Sequence, residues 1–208
     1  MEKTVDTLAK WLREANHAVV FTGAGMSTES PPIDPNSTEY QRPWIRKVTP
    51  DGTVSLFVGH ATEKSRTDGD AATARFESPS ALAIDKDDNL YVTDTGGIRK
   101  VTPAGAVETL TTALKGGALT IGPDGSLYGT TNYAYYDSGA YEIWKREPGG
   151  TESSFWKNGL DYLDGPLATA KFDQIQDLVF DSHGDMLVLD DGYYQDAAVY
   201  IRKIRFKR

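Results

Sequence analysis

One phrase recurs along this chain and constrains it more than any other feature. Ile-Arg-Lys-Val-Thr-Pro stands at Ile45–Pro50 and again at Ile98–Pro103. It returns in altered form as Ile-Trp-Lys-Arg-Glu-Pro at Ile143–Pro148 and as Ile-Arg-Lys-Ile-Arg-Phe at Ile201–Phe206. The intervals run from 45 to 58 residues. Self-similarity at that period means an array of supersecondary units, each burying a face that it cannot bury alone.

Each unit reads as short strands punctuated by turns. One unit runs Ala81–Asp85, a turn at Lys86–Asn89, Leu90–Asp94, a turn at Thr95–Gly97, Ile98–Thr102 and Val107–Leu110. The next runs Gly117–Ile121, Leu127–Thr130, Tyr141–Lys145 and Thr151–Trp156. The last runs Asp177–Asp181, Met186–Asp190 and Val199–Phe206, while Trp44–Val58 supplies only two strands. Four-stranded antiparallel meanders of this kind are the blades of a β-propeller. Gly69–Phe76 and Gly165–Phe172 are matching connections whose Ala and Phe positions plug the gaps between blades. Three to four blades lie at the lower limit for a closed ring, so an open arc, a small ring or pairing with a second copy are the available outcomes.

Residues 1–30 read differently. Val5, Leu8, Ala9, Leu12 and Ala15 form an apolar stripe at helical spacing, Ala18–Thr22 is strand-like, and Gly23–Ser27 makes a glycine turn. Residues 31–43 are a proline-rich linker, and residues 44–208 are the blades. The expected fold is therefore all-β: a partial or small propeller of four-stranded antiparallel blades behind a short N-terminal helix-strand segment.

Composition narrows the function. A net charge of −8 argues against a broad nucleic-acid surface. The basic run Arg202–Arg208 reads as a strand with solvated charges. With no cysteine there is no thiolate zinc site, disulfide or cysteine nucleophile. No apolar run is long enough to span a membrane, and the charged start is unlike a signal peptide, which leads to a cytoplasmic expectation for the chain as it stands. His17, His60 and His183 are far apart and show no metal spacing; no metal site is expected. Asp85-Lys-Asp-Asp-Asn89 places acids as a calcium loop does. It lacks the loop's Gly and terminal Glu, and a hairpin turn is the favoured reading. Asp190-Asp191 reads as a solvated turn, with a cation site as the alternative.

The most suggestive chemistry is aromatic. Asn132–Gly139 carries Tyr133, Tyr135 and Tyr136, and Gly192–Ala197 carries Tyr193 and Tyr194. Both replace the tight turn between the second and third strands of a blade, so both should emerge on one propeller face. Tyrosine offers stacking area and a hydroxyl at low entropic cost, which suits protein, peptide or glycan ligands.

Two resemblances follow from these residues. The blade pattern, with Asp-Lys-Asp-Asp-Asn before Leu-Tyr-Val-Thr-Asp and then Gly-Gly-Ile-Arg-Lys-Val, resembles the NHL-repeat family of β-propellers over residues 44–208, and in particular the propeller half of bacterial surface lipoproteins. That resemblance implies binding of proteins, peptides, RNA or glycans on a propeller face. Val19–Ser30, with its Thr-Gly-Ala-Gly-Met-Ser core, resembles the start of the sirtuin family of NAD-dependent deacylases. That resemblance implies NAD contacts at Gly23, Ala24, Gly25 and Ser27. The family's Gly-Ile-Pro-Asp-Phe-Arg continuation, its catalytic His-Gly and its four zinc cysteines do not follow. No cofactor is therefore expected, NAD entering only if the turn works without that scaffold.

The leading functional expectation is a non-catalytic interaction module. The alternatives are a self-associating arc, two copies completing a ring of about six blades, and an enzyme, either sirtuin-like or a propeller hydrolase or lyase.

Overall fold

The computed structural model describes residues 19–20, 43–49, 51–114, 116–131, 142–157, 161, 163–191 and 199–206. Its elements are β1 (Val19–Val20), β2 (Trp44–Val48), β3 (Val54–Gly59), β4 (Ala81–Ile84), β5 (Leu90–Asp94), β6 (Gly97–Val101), β7 (Val107–Thr111), β8 (Leu119–Ile121), β9 (Leu127–Thr131), β10 (Glu142–Arg146), β11 (Glu152–Lys157), β12 (Ile175–Phe180), β13 (Met186–Asp191) and β14 (Val199–Ile204). Among the described residues there is no helix.

The strands form four antiparallel sheets in the orders β1-β2-β3, β4-β5-β6-β7, β8-β9-β10-β11 and β12-β13-β14, here sheets 1 to 4. The two four-stranded sheets are simple meanders, and the fold is all-β in the manner of a partial propeller. Strand bounds match the sequence reading to within one or two residues at most ends.

Turn chemistry explains why the strands fold back where they do. Asp88 N donates to Asp85 O and Asp85 N to Asn89 O; the same pair of bonds closes Gly122–Ser126 and Asp181–Asp185. The fourth residue of each turn, Asp88, Gly125 or Gly184, has φ between 61° and 77°. Such a left-handed residue lets a three-residue hairpin turn close without splaying its strands, and Asp tolerates it better than most side chains. The Asp85 carboxylate accepts from the backbone N–H groups of Asp87 and Asn89 and from Asn89 Nδ2. It stabilises the turn, which is the hairpin role expected of it.

The chain divides into two compact units, Met1–Pro79 with Thr102–Glu108, and Ser80–Val101 with Thr109–Arg208. In the first, Val19 and Val20 pair antiparallel with Lys47 and Arg46 of β2. A Val-Val pair announces a strand but not its partner. The expected strand is there, and it joins a meander rather than opening a parallel sheet. Ile45, Val58, Ala74 and Phe76 are fully buried. The expected N-terminal helix, the glycine turn with Gly23, Ala24, Gly25 and Ser27, and residues 31–42 lie outside the described residues.

In the second unit the sheets stack in chain order, with β4, β8 and β12 side by side. Ala83 and Ile98 of sheet 2 pack with Leu119, Leu127 and Trp144 of sheet 3. The opposite face of sheet 3, with Tyr128 and Ile143, packs on Ile175, Leu178, Met186, Val188 and Ile204 of sheet 4. The inner strands of sheet 3, β8 to β10, are thereby covered on both faces, the main source of stability for such an array. Phe172 plugs the seam as expected. Its ring meets Trp156 edge-on at 4.8 Å, and Trp156 Nε1 donates to Ala170 O at 3.1 Å. Tyr128, Phe155, Phe180 and Phe206 close the outer part, with Phe155 and Phe206 stacked at 5.5 Å.

Candidate functional site

The tyrosines that mark the expected binding face, Tyr133, Tyr135, Tyr136, Tyr193 and Tyr194, lie outside the described residues. The strands that carry them are described. The first connection leaves β9 at Thr131 and returns at Glu142; the second leaves β13 at Asp191 and returns at Val199. Glu142 pairs with Thr131, and Asp191 with Val199, so each connection closes the end of a hairpin. In sheet 2 the same connection is the tight turn between Asp94 and Gly97. The two long connections thus spring from equivalent corners of adjacent sheets.

Beside the second corner a groove of about 510 Å³ runs between β14 and the connection that begins at Asp164. Leu167 and Phe172 give it apolar walls, and Tyr200 and Arg202 flank it. Among the described residues β14 is the outermost strand of its sheet, paired only with β13. An outer strand presents backbone donors and acceptors that an added extended chain can pair with.

Two expectations need correction here. Asp190 is not solvated: it is almost completely buried, accepts from the N–H groups of Asp173 and Gln174, and lies 3.0 Å from Arg202 Nη1. Nor is Arg202 a solvated charge. It is buried against the Phe172 ring at 4.3 Å and donates to Asp164 Oδ1, Leu163 O and Lys171 O as well as to Asp190. A guanidinium fits this task because its planar fork holds several acceptors at once. It joins β13, β14 and the inter-sheet connection. Sheet 2 has the equivalent pair, Asp94 and Arg99, buried and 3.3 Å apart. In both sheets the arginine lies opposite the central valine of the neighbouring strand, Val92 or Val188. The sequence held a signal for this: Asp closes the second strand and Arg follows Ile in the third, in both repeats.

The charged turns are structural as well. Lys203 Nζ lies 2.8 Å from Asp181 Oδ2, and this bond lowers the Asp181 pKa to about 2, helped by the N–H groups of Asp185 and His183. Burial alone would raise Asp85; hydrogen bonds from Asn89, Asp87 and Tyr91 outweigh it and leave the carboxyl below its usual value. Tyr91, desolvated and bonded to that carboxylate, is pushed up to about 12 and stays a neutral donor. His60 Nδ1 accepts from Glu63 N at 3.2 Å, closing a local turn. Among the described residues no cluster of three or more His, Asp and Glu is gathered to hold a metal ion. No helix among them is long and apolar enough to cross a membrane.

No protein-family model matches this chain. No curated protein matches it either. Several solved structures are similar to it. Virginiamycin B lyase from Staphylococcus aureus is 16% identical, with a TM-score of 0.45 over 81% of this chain and 51% of that one. A gluconolactonase from Xanthomonas campestris is 16% identical, with a TM-score of 0.47 over 78% and 50%. An auxiliary nutrient binding protein from Bacteroides thetaiotaomicron is 18% identical, with a TM-score of 0.31 over 72% and 30%. The chain spans about half of the first two proteins and less of the third. At these levels they assign it neither a family nor an activity.

Proposed function

We propose that this chain is a binding module that engages a protein, peptide or glycan at the end where its tyrosine-bearing connections emerge. The observation that carries the reading is the equivalence of two corners. Adjacent sheets each replace a two-residue turn by a long connection, and each connection carries paired tyrosines: Tyr135-Tyr136 and Tyr193-Tyr194. Neighbouring aromatic loops on a rigid sheet scaffold suit ligand recognition. The groove along β14 favours an extended peptide among these ligands, because an added strand gains backbone hydrogen bonds while Leu167 and Phe172 receive an apolar side chain. The resemblance of the Leu-Tyr-Val-Thr-Asp and Ile-Arg-Lys phrases to NHL-repeat propellers supports a non-catalytic use of the fold and a bacterial surface setting.

The test begins with immobilised full chain, screened against a glycan panel and a random peptide library. For a ligand so retained, Tyr135→Ala combined with Tyr193→Ala should weaken affinity about tenfold or more, as loss of an aromatic anchor does. The unfolding midpoint should stay unchanged. Unaltered affinity in the double variant would overturn the assignment.

A further inference from the structure

Each sheet of the second unit has a leading face, turned toward the next sheet in chain order. The leading faces are built on one plan. In sheet 2, Ile98 lies opposite Thr93, and Tyr91 opposite Ala83. In sheet 3, Ile143 lies opposite Thr130, and Tyr128 opposite Thr120. In sheet 4, Ile201 lies opposite Leu189, and Leu187 opposite Val179. Ile98 and Ile143 are fully buried by the sheet that follows. Ile201 is 75% exposed, Val199 59% and Val179 53%. Yet at these four positions the sheet 4 face is the most apolar of the three, with Leu189 and Val179 where the covered faces have threonine or alanine. A patch of this kind, continuous with a covered series, marks an interaction surface.

What covers the other two leading faces says what fits this one: the trailing face of a sheet of the same kind. Sheet 1 carries such a face. Arg46 occupies the position of Trp144, the residue that packs on the leading face of sheet 2. Beside it on β3, Leu56 and Val54 stand where sheet 3 has Ser154 and Glu152. Leu56 is 53% exposed. Charge matches too: the exposed Asp177 on the leading face of sheet 4 would meet a trailing face that carries Arg46.

We infer that copies of this chain associate head to tail, the leading face of sheet 4 in one copy receiving the trailing face of sheet 1 in the next. Such an interface joins unlike surfaces, and so closes into a ring or extends, depending on the rotation between copies. The inference goes beyond ligand binding at the tyrosine corners, because it uses sheet faces and none of those loops.

Sedimentation of the full chain at micromolar concentration should give masses at multiples of 22.8 kDa. Ile201→Asp and Leu56→Asp should each raise the dissociation constant at least tenfold, with unchanged unfolding midpoints. Mixing the two variants should restore a two-chain species, since each supplies the face that the other lacks. A second measurement uses the absence of native cysteine. Ile201→Cys and Leu56→Cys chains should be joined by a short thiol cross-linker when mixed, and neither should be joined to itself. Three results would overturn the inference: wild type that stays at 22.8 kDa throughout, a Leu56→Asp variant that associates normally, or self-linkage of Ile201→Cys, which would mean pairing of sheet 4 with sheet 4.

Discussion

Sheets 3 and 4 face the same packing position with opposite chemistry. In sheet 4 the third strand places Arg202 over Val188 and holds it with Asp190, Asp164 and two backbone carbonyls. In sheet 3 the position belongs to Trp144, which lies over Gly129. A Cβ on Gly129 would sit 2.3 Å from Trp144 Cζ2, so the glycine is the space that the indole occupies. One sheet fills the seam with a multiply bonded charge and the other with an aromatic slab. The repeat therefore specifies a volume and a direction rather than a residue, and each sheet meets it with a matched set. The sets are not interchangeable one residue at a time.

Breaking the polar set should have the largest effect. Asp190→Ala removes the buried counter-charge of Arg202 and the acceptor for two backbone N–H groups, so urea unfolding should show a loss of about 3–5 kcal/mol. Gly129→Ala overfills the aromatic set and should lose about 1–3 kcal/mol, with a changed near-UV signal from Trp144. Asp164→Ala should cost less than about 1 kcal/mol, because this partner of Arg202 is 77% exposed and screened by water.

The smallest effect is electrostatic. Asp181 titrates at about 2 in the folded chain because Lys203 favours its charged form. A depressed folded value stabilises the fold above the unfolded carboxyl range, and that contribution is lost as pH falls toward about 2. Lys203→Met should move the Asp181 midpoint up toward 3.8 in an NMR titration and shrink the acid dependence of unfolding. An unmoved midpoint would show that the backbone N–H groups hold the carboxylate without the lysine.

Most of the strands could be read from the sequence because two local codes agreed. The short apolar runs Leu90–Val92 and Met186–Leu189, each bounded by turn residues, mark strands, and the Asp- and Gly-bearing turns between them have a physical reason to be turns. Arg202 and Asp190 were misread for the opposite reason. A charge in an outer strand or near a strand end reads as solvated in one dimension, and the carbonyls that bind Arg202 lie at Leu163 and Lys171, more than 30 residues back in the chain. The pairing of Val19–Val20 with β2 was likewise illegible, because strand propensity carries no information about the partner. The equivalence of the two tyrosine corners was readable, since it needs only the positions of the loops within the repeat.

The central claim is that the sheets of the second unit stack face to face in chain order. Methyl-to-aromatic and methyl-to-methyl NOEs test it most directly. The account predicts cross-peaks from Ile98 to Leu119, Leu127 and Trp144, and from Ile143 to Ile175, Val188 and Phe172. Cross-peaks from Ile143 to Ile98 with none to the residues of β12 and β13 would contradict it.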